Sequence, residues 1–292
     1  MLVVADLNAI ENRALAWLSG CEPMLEVFSK GLDPYVSFGS IFYGRPYEEL
    51  DPEVKGLSPE EKKRRKGIRQ FCKPPVLGCG YGLGAGQRRQ MQNGTFQWTG
   101  LMAYASSMGV TLEPTQSRDM VNTFRNTFPE VPQYWRYMEE AFYAATKTKK
   151  RQQVGEVIFG YSNGATYIEL PSGRRIHYLN PRSWYGGKGI EIRYDGLRNG
   201  QWWTVTAWGG VLTENVVQAV SRDVLVEGML RAEARGLKIV AHCHDEIICE
   251  TAGPSTGLDA LALEGGMSEP ISWAHGLPLA AEGWEGERYA KQ

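Results

Sequence analysis

Two acidic motifs stand at the ends of apolar runs. Asp6 follows Leu2-Val3-Val4-Ala5, and Asp245-Glu246 interrupts an Ile-, Val- and Cys-rich stretch between Lys238 and Glu250. An ionised carboxylate in apolar surroundings is costly unless partnered, and a divalent cation is the usual partner where carboxylates converge. Taken singly, each acid fits a capped turn or a structural ion pair at least as well. Between them lie Arg69, Lys73, Leu77 and Tyr81 at a regular spacing of four. On a helix such positions drift by about 40° each, so they are expected on one broad face that offers two cations and an aromatic ring. The bland alternative is a helix with a solvated basic end and a packed apolar end. Lys62 to Lys66 and Lys147 to Arg151 add two basic runs, which read either as phosphate contacts or as solvated helix faces.

The elements that must hold these groups follow from periodicity and punctuation. Leu2 to Ala5 reads as a short buried strand with Asp6 at its end, and Ile10, Ala14, Leu15, Trp17 and Leu18 fall at helical spacing until Gly20. Ser58-Pro59-Glu60-Glu61 marks a helix start, with Ser58 as cap, Pro59 at the first helical position and Glu61 completing a capping box. Residues 121–145 are expected to form two helices broken by Pro129 and Pro132. From 155 to 211 the texture turns to hairpins, with turns at Pro171-Ser172-Gly173 and Asn199-Gly200. Residues 214–234 return to an amphipathic helix, and 238–250 read as two strands with Asp245 and Glu246 at a tight turn between them. Leu277 to Glu282 is expected to close the sheet as a final strand. Gly78 to Gly86, with five glycines, follows no strand and lacks the Lys-Ser/Thr ending of a phosphate-cradling loop, so it reads as the end of the preceding helix. No linker marks two independent domains.

The 292 residues, 42% of them hydrophobic, suffice for a buried core, and a net charge of -1 argues against coating nucleic acid by bulk charge. Phosphate contacts must then be local. Five cysteines without a CxxC pair give neither a disulfide framework nor a zinc-finger spacing, which suits a reducing, cytoplasmic setting. The apolar run before Asp6 is too short for a signal peptide or a membrane span.

Asp6 to Arg13, with the aspartate followed five residues later by Glu11 and seven later by Arg13, resembles motif A of the family A (DNA polymerase I-like) DNA polymerases. Arg69 to Gly82 is similar to motif B, including its Tyr81-Gly82 ending, and His244-Asp245-Glu246 resembles motif C. The three stand in family order, and Leu170 to Arg174 is similar to the phage-type branch. The resemblance covers essentially the whole chain and implies an α+β fold: a polymerase right-hand palm, built of an antiparallel sheet with helices, plus mainly helical fingers, with thumb and exonuclease absent. It implies a first palm segment at 1–30, fingers with a β-hairpin insertion at 31–205, and a second palm segment at 206–292.

The same resemblance implies a DNA-directed DNA polymerase that adds deoxynucleotides to a primer 3′ end on primer-template DNA. Asp6 and Asp245 are then expected to hold two Mg2+ ions, for which Mn2+ can substitute, with the backbone at Leu7 as a further ligand and Glu246 beside them. Arg69 and Lys73 are expected on the dNTP phosphates, with Lys73 donating a proton to the leaving pyrophosphate. Leu77, Tyr81, Glu11 and Leu7 would surround the nucleotide, Glu11 and Tyr81 excluding a ribose 2′-hydroxyl. Gln218, His244 and Arg13 would contact DNA. If phage-encoded, such a chain would work in the host cytoplasm.

This sequence departs from the family pattern at several points. Pro74 and Pro75 remove two helical N–H donors, so the motif B helix is expected to kink or to start afresh near Pro75. Leu77 stands where an aromatic residue is usual, and Gly210 near where the bacterial pattern offers arginine. Met1 lies five residues before Asp6, so a second polypeptide is expected to carry the thumb and exonuclease, and the Asp6 strand to leave an unpaired edge for it. Two other readings compete. One is a non-catalytic remnant that binds primer-template or a partner. The other is a metal-dependent hydrolase using His242 and His244, whose spacing puts two imidazoles on one strand face. Single-subunit RNA polymerases share the motif order, but Glu11 and Glu246 favour DNA synthesis.

Overall fold

The computed structural model describes residues 1–91, 93–187, 189–252 and 257–289, with Arg198 described by its backbone alone. The chain opens with strand β1 (Leu2–Leu7) and runs through helices α1 (Ile10–Ser19), α2 (Glu22–Ser29), α3 (Pro34–Tyr43) and α4 (Pro59–Cys79). A small hairpin of β2 (Arg88–Gln90) and β3 (Phe96–Trp98) precedes α5 (Gly100–Ser107), α6 (Pro114–Thr127) and α7 (Glu130–Thr148). Six strands follow: β4 (Gln152–Val154), β5 (Val157–Ser162), β6 (Ala165–Glu169), β7 (Arg175–Gly186), β8 (Gly189–Arg198) and β9 (Gln201–Ala207). The long helix α8 (Gly209–Ala234), the hairpin β10 (Lys238–Cys243) and β11 (Glu246–Glu250), helix α9 (Leu258–Ser268) and strand β12 (Ala281–Gly286) complete the fold. This is the α+β class expected from sequence. The residues cluster into two compact units, one of 1–18, 138–208 and 214–292, the other of 19–137 and 209–213. The six-stranded sheet falls in the same unit as the strands near both chain ends.

In the first unit, an antiparallel sheet runs in the order β10-β11-β1-β12. β1 is therefore an inner strand, and the unpaired edge expected at Asp6 is absent. The strand that covers it starts at Ala281, later than the expected run from Leu277. Directly opposed residues share a face of a sheet, so Val3, Ala5, Ile247, Cys249 and Gly283 point one way. Helices α8 and α9 pack on that side. A Cβ on Gly228 of α8 would lie 3.1 Å from Met267 of α9 and 3.4 Å from Ile247, and one on Gly283 would lie 2.9 Å from the Ala260 carbonyl oxygen. Each fully buried Val or Ile on this side stabilises the sheet by about 1.5–3 kcal/mol. The other side of the sheet takes Asp6, Glu246 and Glu282.

The same unit holds the antiparallel sheet β4-β5-β6-β7-β8-β9, in line with the expected hairpins. At its Asn199-Gly200 turn both residues take positive φ, 51° and 75°, as a two-residue type I′ hairpin requires. Arg174, just beyond the Pro171-Ser172-Gly173 turn, ties this sheet to α8: its Nε donates to Asp223 Oδ1 at 2.7 Å, and Ser172 Oγ donates to the other oxygen at 2.5 Å. Buried Tyr178 packs edge-on against Phe142 of α7 and accepts a hydrogen bond from Asn215 of α8 at 3.1 Å.

The second unit is mainly helical, with Phe38, Met120, Phe124 and Leu101 fully buried. Its α4 starts on Ser58, whose Oγ accepts from the Glu61 N–H at 3.2 Å. The expected capping box is only half made, because the Glu61 carboxylate binds Arg64 and Arg65 instead. The expected fresh start near Pro75 is not seen either: α4 runs unbroken from Pro59 to Cys79 with both prolines inside it. The carbonyls of Gln70 and Phe71 lose their helical donors, and packing compensates, since Cys72, Pro74, Pro75 and Val76 are all buried. Of the two prolines, Pro129 alone lies between α6 and α7, next to Phe128. Pro132 sits in the first turn of α7, where N–H groups have no intrahelical partner to lose. No described helix is long and apolar enough to cross a membrane.

Candidate active site

Strand register sets the acids side by side. Asp6 pairs with Glu246 of β11 on one flank and with Glu282 of β12 on the other, so three carboxylates form a row across one face. Asp245 joins them from the β10–β11 turn, where its carbonyl accepts from the Leu7 N–H at 3.0 Å. That turn is tight because His244 adopts a left-handed φ of 54° and Cys243 pairs directly with Glu246. Glu246 is thus the first residue of β11 and not part of the turn, as the sequence had suggested. Among the described residues no Lys, Arg or His forms an ion pair with any of the four acids. Partial burial raises the Asp6 pKa, and the charges of Asp245, Glu282 and Glu246 raise it further. Glu246 Oε1 is buried without a hydrogen-bond partner among the described residues. The Glu246 carboxylate beside it, with burial, holds the Tyr289 phenol above its ordinary value.

A divalent cation fits this arrangement. Among the described residues no three His, Cys, Asp or Glu side chains form a cage around one point. Mg2+ is commonly held by one or two carboxylates, with substrate phosphates and water completing its shell, so it needs no such cage. Zinc takes three or four protein ligands. His242 and His244 are exposed, and among the described residues no third side chain joins them in the group that a zinc hydrolase would require.

The other predicted residues of this unit lie on α1, α8 and the β10–β11 turn. Glu11 is in the first turn of α1. Glu214 of α8 has a raised pKa, from burial first and from the Glu11 charge second. Gln218, one turn further along α8, is exposed, as is His244. Arg13 is held by backbone carbonyls. It is 8% exposed, its Nε donates to the Asn8 carbonyl at 2.6 Å and its Nη1 to the Pro278 carbonyl at 3.1 Å. Burial lowers its pKa. Arg13 braces the turn between β1 and α1, where Ala9 has φ 49°. The Leu7 side chain is buried, and its N–H is taken by the Asp245 carbonyl.

In the second unit, α4 carries Arg69, Lys73 and Leu77, while Tyr81 lies just past the helix end in a turn closed by its N–H on the Gly78 carbonyl at 3.2 Å. Arg69 Nε donates to Asp33 Oδ2 at 2.8 Å. The Arg69 guanidinium stands 4.9 Å and Lys73 Nζ 5.7 Å from the centroid of the Tyr35 ring. Among the described residues Lys73 has no carboxylate partner, and the Arg69 Nη groups have no hydrogen-bond partner. Two cations with unused donors above one ring form a surface for an anion such as a phosphate. Arg69 also lines a cavity of about 570 Å³ with Lys66, Gln70, Asp51 and Glu53. Much of the first basic run is spent within the protein, Lys62 on Glu53 and Arg64 and Arg65 on Glu61. In the second run, Lys149 sits 3.2 Å from the Tyr161 ring centroid and Arg151 pairs with Glu169. Sequence reading misses Glu282, Asp33 and Tyr35. The Asp33-Pro34 pair is a helix-cap signal that marks the first turn of α3, but register and packing alone expose the roles of the other two.

An antiparallel sheet with acids at its central strand and hairpin turn, in a chain that also carries a helical unit with paired cations, has the fold of a polymerase domain. The chain is similar to a solved structure of the POL domain of Pol1 from M. smegmatis in complex with DNA primer-template and dNTP, with a TM-score of 0.54, 18% identity, and coverage of 97% of this chain and 38% of that one. It is also similar to the DNA polymerase of Bacillus phage SP02, 32% identical over 292 residues that make up 99% of this chain and 41% of the relative. The chain therefore spans less than half the length of either. No protein-family model matches it. In sequence and fold it resembles the C-terminal, polymerase part of a family A DNA polymerase.

Proposed function

We propose that the chain is the catalytic part of a template-directed DNA polymerase that extends a primer 3′ end with deoxynucleotides on primer-template DNA. The observation that carries this reading is the row of Asp6, Glu246 and Glu282 with Asp245 beside it, carboxylates set together without an ion-pair partner among the described residues. Two bound divalent ions, Mg2+ or Mn2+, would activate the primer 3′-hydroxyl and stabilise the leaving pyrophosphate. Asp6 and Asp245 supply the carboxylates for those ions, backed by the Leu7 backbone, and Glu246 adds negative charge beside them. Arg69 and Lys73 bind the triphosphate, and Lys73 hands a proton to the departing pyrophosphate. Glu11 and Tyr81 exclude a ribose 2′-hydroxyl, Leu77 contacts the nucleotide, and Gln218 and His244 contact the minor groove and primer end. If phage-encoded like the SP02 relative, the chain would work in the host cytoplasm. The expected second polypeptide finds no support in the comparisons, and β12 occupies the edge that was expected to receive it.

Primer extension with dNTPs and Mg2+, wild type against Asp245→Asn, tests the proposal. Extension that disappears in the variant supports it. A chain that binds primer-template but incorporates nothing, alone or with what co-purifies, would make it a non-catalytic binding module instead.

A further inference from the structure

The Asp33 carboxylate serves two helices at once. Its Oδ1 accepts from the N–H groups of Tyr35 and Val36 at 2.8 and 2.9 Å and so caps α3. Its Oδ2 accepts from Arg69 Nε of α4 at 2.8 Å. Guanidinium is a rigid planar fork, so fixing Nε fixes the plane and the direction of the two Nη groups. The cap also fixes Tyr35, in the first turn of α3, and Tyr35 is the ring that lies against both Arg69 and Lys73. One carboxylate therefore sets both the orientation of Arg69 and the platform beneath the two cations. The other acids on the adjoining cavity are engaged elsewhere: Glu53 pairs with Lys62, and Asp51 Oδ1 accepts from the Glu53 N–H. Asp33 is thus the only acid among the described residues in an ion pair with Arg69.

We propose that Asp33 is a positioning residue for nucleotide binding, its shared carboxylate aiming the Arg69 Nη groups at the phosphates of an incoming deoxynucleoside triphosphate. The inference rests on the assignment of Arg69 and Lys73 to the triphosphate. A structural ion pair that merely joins α3 to α4 would predict an effect on stability and none on nucleotide affinity.

Asp33→Asn separates the two jobs. Asparagine caps a helix about as well as aspartate, yet its amide has a single oxygen and cannot serve the α3 N–H groups and Arg69 Nε together. The dissociation constant for dATP with Mg2+ is measured by calorimetry on the full chain, beside the melting temperature, for wild type, Asp33→Asn, Arg69→Met and the double variant. The expected result is dATP binding about five- to tenfold weaker in Asp33→Asn, as for a lost charge-assisted hydrogen bond, with a melting temperature within about 2 °C of wild type and no further loss in the double variant beyond Arg69→Met. In primer extension the nucleotide KM rises by the same factor while kcat changes less than twofold. Wild-type affinity in Asp33→Asn alongside weak binding in Arg69→Met overturns the positioning role, as does a double variant in which the two losses simply add. If Arg69→Met binds dATP like wild type, or if wild type binds none, the triphosphate assignment itself fails.

Discussion

Asp6→Asn should stabilise the metal-free protein while removing its response to magnesium. Directly opposed like charges in an antiparallel pair cost about 0.2–1 kcal/mol, and Asp6 faces two of them, Glu246 and Glu282. Neutralising it should relieve about 0.5–2 kcal/mol. For a protein of this size 1 kcal/mol moves the melting temperature by about 2–4 °C, so the variant should melt about 1–8 °C above wild type in EDTA. Magnesium at ten times its dissociation constant stabilises the folded state by about 1.4 kcal/mol, which corresponds to a rise of about 3–6 °C in wild type. The variant should gain little. The pH dependence has a definite sign. The folded-state pKa of Asp6 lies above its ordinary value of 3.8, so between the two values the folded state binds more protons than the unfolded one. The Asp6 contribution to metal-free stability is full below 3.8 and is lost as pH rises through the raised value. The difference between wild type and Asp6→Asn should therefore grow with pH over that interval. Circular dichroism melts from pH 4 to 8, in EDTA and in MgCl2, read all three effects. A variant that melts below wild type in EDTA, or that keeps the full magnesium shift, would refute the idea that the four acids are an uncompensated cluster awaiting a cation.

Glu11→Ala should admit ribonucleotides in primer extension, and unchanged sugar selectivity would remove Glu11 from its assigned role. Arg174→Leu leaves the Asp223 carboxylate, whose side chain is only 10% exposed, with Ser172 as its remaining side-chain partner. It should cost about 1–3 kcal/mol in urea unfolding, discounted because Arg174 is itself half exposed, and Asp223→Asn in the same chain should recover part of the loss. Gly209→Ala would put a Cβ 2.0 Å from the Trp135 carbonyl oxygen, so it should destabilise the protein by more than about 2 kcal/mol; a neutral effect on the melting temperature would show that the start of α8 shifts freely.

What the sequence determined by itself was local. An acid ending an apolar strand marks Asp6, a turn between two β-rich runs marks Asp245, Asn199-Gly200 marks a hairpin, and Ser58-Pro59 marks the start of α4, because each signal lies among chain neighbours whose dihedral preferences are additive. The resemblance to polymerase motifs was legible for the same reason, as short runs at recognisable spacing. Tertiary structure decided the rest. Glu282 enters the acid row only through the pairing of β12 with β1, across nearly the whole chain. Asp33 reaches Arg69 across 36 residues, and no periodicity links them. Arg13 reaches the Pro278 carbonyl across 265 residues, a partner no local pattern announces. Pro74 and Pro75 sit inside α4 because the packing of a buried face outweighs two missing hydrogen bonds, a balance set by residues far away in sequence. Strand register and side-chain partners are chosen by burial of distant surfaces, and local propensity carries no information about which distant surface arrives.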